Sequence, residues 1–524
     1  MRNLITVGAL LGTGLLSIAI LCRTVSAQGG RGANATDDEN PCVGYPYPPG
    51  VVPCDLVPKI QKVREEIDRT EEETLRYAEH LPVNNGTRLK RIRVLGKLLL
   101  YDENLSVRKN TACVFCHTTE TGFTGPISEI NEKTVAYPGS VRYRFANRRP
   151  MSYAYGPYSP VFHFDESQQA FFGGNFWSSM ATGWKLQNPN SEQVQFPFVD
   201  FDEQGFPDSA CVVRRVSQAA YEPMFEAIWS TKLKLIHWPS DVDQVCGTPS
   251  MPPMIPTDPG PLKLAEEDRM LSNIAYDQIA QSIAANEAGP DVSPFTSKFD
   301  YAIAHSNQPV LTAEEQLGWE LFRGKGKCNL CHVDSTSAIQ MDTPETSFNE
   351  VPDAEPLFSD FEAFNLGLPR NTHIPYYYES KPDKFDVTPN PMGLAYIDRG
   401  LGDFLRSVVN PNSRWTKYAE QSDGKFQTAT TRDVDKRPYP TFIKAYFHNG
   451  ILKSLKEVVH FYNTRDVLPK CKKGIDDPGF AKTCWVAPEV RENVDQRIGN
   501  LALSDAEEDA IVAFMKTLTD GYTK

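Results

Sequence analysis

Runs of basic residues are missing from this chain of 524 residues, which carries a net charge of −13. A protein that binds nucleic acid is expected to concentrate Lys and Arg in a patch or along one helix. The sequence therefore predicts no nucleic-acid partner. An acidic surface would suit a basic protein partner, although plain solubility explains the charge with fewer assumptions.

Long apolar runs are also scarce, because the sequence has only one, and it lies at the N-terminus. Arg2 precedes the run LITVGALLGTGLLSIAILC, and the small residues Val25-Ser26-Ala27 follow it. This order predicts a cleavable signal peptide over residues 1–27. The run is long enough that an uncleaved anchor is the alternative. With the signal removed we expect no membrane span, and a mature protein in the periplasm or another exported, oxidising space.

Cysteine is sparse but arranged in a pattern, with 11 residues in all. One lies in the signal, four lie in two repeated motifs, and the other six form pairs that are local in sequence. The pairs are Cys42 with Cys54, Cys211 with Cys246, and Cys471 with Cys484. Three disulfides are our interpretation, although six cysteines can also pair in many other ways.

The repeated motif is Cys-x-x-Cys-His, which reads CVFCH at 113–117 and CNLCH at 328–332. Two thiols at this spacing form thioethers to one haem, and the adjacent His binds its iron. A zinc site needs four ligands, and no matching half occurs here. A redox dithiol does not need the His. The sequence predicts two covalent c-type haems, held by Cys113, Cys116 and His117 and by Cys328, Cys331 and His332.

The flanks of the two motifs are also alike. Residues 95–101 and 317–322 both begin with Leu-Gly and both predict a helix that leads into a haem loop. Thr312 and Glu315 form a capping box at the start of the second helix.

A closing helix is predicted in each half. Ser504 and Glu507 cap the C-terminal one, and its apolar residues recur at helical spacing: Ile511, Phe514, Met515 and Leu518. Residues 274–285 form a comparable helix in the first half. We therefore predict a mainly α protein with two cytochrome c-like domains, each with one covalent c-type haem, and with extensive loops.

The composition predicts the boundaries of the linker and of the two haem domains. Residues 28–55 are rich in Gly, Pro and Asp and are expected to be an exported linker. An N-terminal haem domain is predicted over 56–300 and a C-terminal haem domain over 301–524, with the joint near 288–310. The Pro-rich segment 239–261 is expected to lack regular structure.

Three segments resemble, in this order, the bacterial di-haem cytochrome c peroxidase and MauG family: LGKLLLYDENLSVRKNTACVFCHTTETGF, LTAEEQLGWELFRGKGKCNLCH and AYFHNGILKSLKEVVHFYN. The resemblance spans about residues 88–518. It implies an N-terminal haem that reacts with hydrogen peroxide and a C-terminal haem that passes electrons. In many members it also implies a calcium ion between the domains.

The resemblance favours the MauG-like branch. Conventional peroxidases carry a second His shortly after the first motif, but the next His after His117 is His163. We therefore expect the first iron to have an open sixth position. The family's distal ligand of the second haem corresponds to Tyr462, 14 residues after His448, where conventional members have Met. Met392 and His460 are the alternative ligands.

The resemblance also suggests a peroxide pocket. Trp177 matches a tryptophan between the haems, and Gln193, Pro197 and Glu203 match the distal residues in order and spacing. We expect Glu203 to move a proton between the peroxide oxygens, as a carboxylate can. A solvated loop Glu is the alternative, because acidic residues surround it.

Some positions depart from the family pattern. Ser178 follows Trp177 in place of Asp, and Ile443 and Ala445 stand where Thr and Pro precede Tyr-Phe-His. Asn147 lies one place from the usual Asn. The sequence is therefore compatible both with a calcium ion between the domains and with its absence. Arg432 is expected to have a haem-propionate or structural role.

We predict an exported di-haem oxidoreductase that reduces hydrogen peroxide and takes electrons from a protein partner. In the MauG-like version these electrons come from Trp or Tyr side chains of that partner. The alternative is a conventional peroxidase that detoxifies peroxide with a small electron-carrier protein. A second alternative is a non-enzymatic di-haem electron-transfer cytochrome.

Overall fold

A computed structural model of the protein describes residues 56–82, 87–141, 143–252, 260–334 and 355–523. The predicted signal peptide, the linker 28–55 and the Cys42–Cys54 pair lie outside these residues. No helix in the described part of the chain is both long enough and apolar enough to cross a membrane.

Helices dominate the described residues, as the sequence predicts. The α-helices there are α1 (Val57–Glu79), α2 (Arg88–Tyr101), α3 (Ser128–Glu132), α4 (Pro189–Val199), α5 (Ser209–Val216), α6 (Glu222–Trp229), α7 (Val242–Cys246), α8 (Glu266–Glu287), α9 (Lys298–Ala304), α10 (Ala313–Arg323), α11 (Leu401–Arg406), α12 (Leu455–Thr464) and α13 (Asp505–Lys516). The strands form two small antiparallel pairs: β1 (His163–Asp165) with β2 (Ala170–Phe172), and β3 (Ala363–Phe364) with β4 (Phe426–Gln427). Long loops connect these elements.

The first half is built around the packing of α2 against α8. Gly96 of α2 lies so close to α8 that a Cβ there would stand 2.0 Å from the carbonyl oxygen of Ser282. Only glycine permits this approach. The predicted helix over 274–285 is confirmed, and it lies inside the longer α8. The apolar side chains of this half, including Leu95, Leu99 and Ile279, share one buried cluster.

The second half repeats this arrangement with α10 and α13. A Cβ on Gly318 would lie 1.8 Å from the carbonyl oxygen of Ala510. Both predicted capping boxes are present, one at Thr312 and one at Ser504. The predicted apolar face of α13 is buried in a second cluster that contains Ile511, Phe514, Met515 and Leu518.

Two of the predicted disulfides are present, Cys211–Cys246 and Cys471–Cys484. The expectation that 239–261 lacks regular structure is wrong in part, because α7 lies there. Its prolines flank the helix and do not interrupt it, so the α7 backbone keeps its hydrogen bonds.

The described residues belong to a single compact unit that begins at residue 40. Within it, α8 ends at Glu287 and α9 begins at Lys298. The division into domains over 56–300 and 301–524 therefore stays a prediction.

Candidate functional site

The first Cys-x-x-Cys-His motif forms a short 3₁₀ turn, Cys113–Phe115, after α2. The Nδ1 atom of His117 lies 3.0 Å from the carbonyl oxygen of Phe123, to which it donates. This tautomer leaves the lone pair on Nε2, the nitrogen available to a metal. Burial lowers the pKa of His117 to about 4, so the ring is neutral at pH 7.

The second motif is built in the same way, with a 3₁₀ turn at Cys328–Leu330 after α10. His332 Nδ1 donates to the carbonyl oxygen of Phe358 at 3.1 Å, and burial lowers the pKa of His332. Both motifs thus present a neutral, oriented imidazole.

Each motif lines its own cavity. The first cavity has a volume of about 280 Å³ and the second about 180 Å³. All four motif cysteines are free thiols, whereas the other four cysteines of the described residues are disulfide-bonded. Two free thiols and one neutral imidazole in each cavity fit one covalently attached haem per cavity.

Helix α4 supplies part of the wall of the first cavity. Its N-cap Asn188 accepts a hydrogen bond from the backbone N–H of Ser191. The Glu192 carboxylate accepts from the backbone N–H groups of Gly183, Lys185 and Leu186, which anchors the helix to the preceding loop. The neighbouring Gln193 and the later Pro197 line the cavity.

Glu203 lines the same cavity from the turn after α4. Its carbonyl oxygen accepts a hydrogen bond from Ser140 N–H at 2.7 Å, which holds the backbone in place. No side-chain hydrogen bond joins its carboxyl group to another described residue. Burial, with a contribution from Asp200, raises the pKa of Glu203 to about 8. A carboxyl group with this pKa exchanges protons near neutral pH.

A second carboxyl group, which the sequence did not single out, also lines the first cavity. Glu287 lies at the end of α8, is 2% exposed and accepts a hydrogen bond from the amide of Asn190. Burial raises the pKa of Glu287 to about 8 as well. Glu287 is the last residue of an ordinary helix pattern, so no local feature of the sequence predicted a functional role for it.

Among the described residues that line the first cavity, His117 is the only histidine. His163 lies in β1, where its Nδ1 atom is 2.8 Å from the carbonyl oxygen of Val161. It does not line the cavity. Met151 and Met180 do line it, and their thioethers could bind iron.

Tyr462 lines the second cavity from α12, beside Val458 and Val459. Burial raises the pKa of its phenol well above the ordinary value, so ionisation needs a nearby cation.

The two alternative ligands lie elsewhere. His460 Nδ1 is 3.0 Å from Glu508 Oε1, and its Nε2 is 3.1 Å from the Lys482 carbonyl oxygen. Met392 is 58% exposed. Neither residue lines the second cavity.

Trp177 and Arg149 line both cavities. The indole Nε1–H of Trp177 donates to the carbonyl oxygen of Arg149 at 3.1 Å, and the Arg149 guanidinium lies 5.4 Å from the indole ring. His448 is 6.4 Å from the same ring and stacks on Phe426. The sequence did not suggest a role for Arg149 or His448, because their contacts with Trp177 and Phe426 join residues that are distant along the chain.

Arg432 does not line either cavity. Its guanidinium binds both carboxylate oxygens of Asp300 and donates to the carbonyl oxygen of Pro356. These contacts support the structural role rather than a contact with haem.

Comparisons with known proteins agree with this geometry. A family model described as di-haem cytochrome c peroxidase matches residues 90–308. The methylamine utilization protein MauG of Paracoccus denitrificans is 25% identical over 432 residues, which cover 82% of this chain and 88% of that protein. The cytochrome-c peroxidase IdrP1 of Denitromonas iodatirespirans is 23% identical over 448 residues, or 84% of each protein.

Among solved structures, the diheme peroxidase BthA of Burkholderia thailandensis is similar in fold. The TM-score is 0.56 at 23% identity, and the match covers 82% of this chain and 86% of that one.

Proposed function

This chain belongs to the di-haem cytochrome c peroxidase and MauG family, and from that premise we propose an exported enzyme that reduces hydrogen peroxide with electrons from a protein partner. We propose further that it works in the MauG-like way, by oxidising Trp or Tyr side chains of that partner. The observation that carries this proposal is the difference between the cavities. The first has no histidine besides His117 among its described lining residues, and the second is lined by Tyr462.

Two haems, once attached through the thioethers, supply iron that accepts and donates single electrons. Cys113 and Cys116 would hold the first, and Cys328 and Cys331 the second. The carbonyl oxygens of Phe123 and Phe358 orient His117 and His332 by accepting from Nδ1. Such a second contact fixes the ring and makes the imidazole a stronger ligand.

Glu203 is proposed to move the proton that O–O cleavage requires. Reduction of hydrogen peroxide to two waters consumes two electrons and two protons. The Glu203 carboxylate takes a proton from one peroxide oxygen and delivers it to the departing one. Gln193 offers an amide that can orient the peroxide, and Pro197 contributes an apolar surface without a backbone donor.

Trp177 is proposed to carry electrons between the cavities, since it lines both. The Arg149 guanidinium 5.4 Å from its ring disfavours a positive charge on the indole. We therefore assign Trp177 a role in transmitting electrons and not in storing an oxidising equivalent.

Tyr462 is proposed to bind the second haem iron as a phenolate. A hard, anionic oxygen ligand favours ferric over ferrous iron, whereas Met has the opposite effect. Because burial opposes ionisation of Tyr462, the phenolate would form only with the metal present. The second haem would then be tuned to hold oxidising equivalents for use on a partner.

A conventional peroxidase with a small electron-carrier donor is the second candidate, and the likeness to cytochrome-c peroxidases favours it. An electron-transfer cytochrome without peroxide chemistry would need two fully ligated irons. The carboxyl groups around the first cavity have no use in such a protein.

Low-temperature EPR of the resting ferric protein tests the proposal. We expect one high-spin signal from the first haem and one low-spin signal from the second. Two low-spin signals that become mixed only after one-electron reduction would contradict an open first site. They would point to Met151, Met180 or another ligand, and would favour the conventional peroxidase.

The identity of the electron source needs a second measurement. The peroxide-treated enzyme is mixed either with a reduced small cytochrome or with exported proteins from the same cell. Peptide mass spectrometry then searches for oxidised Trp and Tyr. Oxidation of specific residues that requires both enzyme and peroxide would support the MauG-like version, and turnover with the cytochrome alone would contradict it.

A further inference from the structure

Lys444 is a buried cation, 3% exposed, that joins loops from the two halves of the chain. Its Nζ donates to the carbonyl oxygens of Thr121 at 2.7 Å, Lys436 at 2.9 Å and Asp433 at 3.2 Å. Thr121 follows the first haem motif, whereas the other two acceptors lie in the second half. An ammonium group has three donors, and each of them meets one carbonyl oxygen.

Two further cations make the same kind of connection. Lys453 Nζ donates to the carbonyl oxygens of Asn131 and Gly450, both at 2.7 Å. Arg149 donates from Nε to the carbonyl oxygen of Phe447 at 3.0 Å. Each of the three cations therefore makes one contact that joins a residue numbered below 150 to one numbered above 440. We call Arg149, Lys444 and Lys453 the three interior cations.

The carbonyl oxygens that they bind are of the kind that a calcium ion uses as ligands. Here those oxygens already accept hydrogen bonds from protein cations. In the segment that the resemblance pairs with calcium, the Ile443 carbonyl oxygen accepts from the Asn131 amide at 3.1 Å. The Asn147 amide donates to the Tyr396 hydroxyl at 3.0 Å. Two of the groups expected to hold calcium, the Ile443 carbonyl oxygen and the Asn147 side chain, are thus already engaged by protein groups, and this part of the ligand set does not fit an additional divalent cation.

The electrostatics point the same way. Burial and, to a smaller extent, the charge of Arg149 lower the pKa of Lys444 and of Lys453 to about 7. Arg149 is therefore close enough to each lysine for their positive charges to repel. The carboxylates that face them are Asp433 and Asp435 near Lys444, and Glu132 and Glu457 near Lys453. A divalent cation would add two more positive charges to this region.

We propose that the three interior cations take the place of the calcium ion that other family members hold between their domains. The ammonium and guanidinium groups connect loops of the two halves, as the ion does elsewhere, through the carbonyl oxygens of Thr121, Asn131 and Phe447. The di-haem protein is then calcium-independent. This inference rests on the family membership and not on the identity of the electron donor.

The test uses the full-length di-haem protein at pH 6.5, below the pKa of about 7 of both lysines, so that their protonated forms predominate. The protein is exchanged into buffer with excess EGTA, and its calcium content is measured by inductively coupled plasma mass spectrometry. Its Tm is then compared between EGTA and excess calcium chloride. We expect no stoichiometric calcium and the same Tm in both solutions. One retained calcium per chain, or a Tm that falls in EGTA, would overturn the proposal even if the enzyme reduces peroxide as proposed.

Two variants sharpen the test. Lys444→Met removes the charge but keeps most of the side-chain volume, and it takes one hydrogen bond from each of three carbonyl oxygens. We expect its Tm to fall by several degrees. Lys381→Met, at an exposed position, is the matched control and should leave the Tm unchanged. A Lys444→Met protein as stable as the control would contradict the assignment, and the calcium measurement on the parent stands even if this variant does not fold.

Discussion

The two cavities share their construction but differ in one wall. In both, a helix with a Leu-Gly pair packs on a closing helix, and a histidine ring donates to a backbone carbonyl oxygen. The first cavity then receives α4 and the turn with Glu203, whereas the second receives α12 with Tyr462. The comparison teaches that the helix-and-motif unit is repeated, while a different element completes each cavity and carries the residues proposed for its chemistry.

The titratable groups proposed to act in the two cavities also differ. The first contains carboxyl groups whose pKa is raised to about 8, Glu203 and Glu287. The second contains a phenol whose pKa is raised by the same cause, burial. This difference is the basis for proposing proton transfer in the first cavity and ligation by an anionic oxygen in the second.

The largest expected effect comes from removing one attachment motif at a time. Cys113→Ala with Cys116→Ala, and separately Cys328→Ala with Cys331→Ala, should each leave one haem per chain in place of two. Only the first variant should lose the rapid reaction with peroxide. Intact mass and the pyridine haemochrome assay measure the haem content. Retention of both haems in either variant would contradict the assignment of that motif.

The next effect concerns the proton in the first cavity. Glu203→Gln should slow the reaction with peroxide by about 100- to 10 000-fold, the usual contribution of a general acid–base group. Glu203 must be ionised to accept a proton and its pKa is about 8, so the rate of the parent should rise as the pH increases through 8. Stopped-flow measurements across pH 6–10 check both points.

Glu287→Gln is the matched control, because Glu287 has a similar pKa in the same cavity. It should retain the rise near pH 8. If Glu203→Gln keeps this rise and Glu287→Gln loses it, the proton transfer belongs to Glu287.

A smaller effect is expected in the second cavity. Tyr462→Met should raise the reduction potential of the second haem, since a thioether stabilises ferrous iron better than a phenolate does. The first haem should keep its potential, because Tyr462 does not line its cavity. Spectroelectrochemistry resolves the two couples. An unchanged second couple would show that Tyr462 is only a packing residue.

The smallest effect tests the shared construction. Gly96→Ala and Gly318→Ala each place a Cβ against a backbone carbonyl, and each should lower the free energy of unfolding by about 1–3 kcal/mol. Gly324→Ala, whose Cβ would lie 3.1 Å from its nearest neighbour, should cost less. Chemical denaturation measures all three. A large loss at Gly96 but none at Gly318 would show that the two units are not equivalent.

Much of this protein was predictable because its signals are local. The haem motifs, the capping boxes at Thr312 and Ser504, and the pairs Cys211–Cys246 and Cys471–Cys484 each depend on short spacings. The family resemblance then proposed Gln193, Pro197 and Glu203, which the fold brings to one cavity. The helix at 242–246 was missed, because proline content was weighed without regard to where the prolines stand.

The sequence alone predicted how the haems are attached and determined which helices flank the two motifs, since covalent attachment and helix capping need only neighbours along the chain. The tertiary structure alone decided which cations connect the two halves. Arg149 contacts Phe447, which is 298 residues away in the sequence, and Lys444 contacts Thr121, which is 323 residues away. From the sequence alone, an Arg or a Lys is expected to be a solvated charge at the protein surface. It becomes an interior cation only where folding brings distant carbonyl oxygens close enough to replace its water.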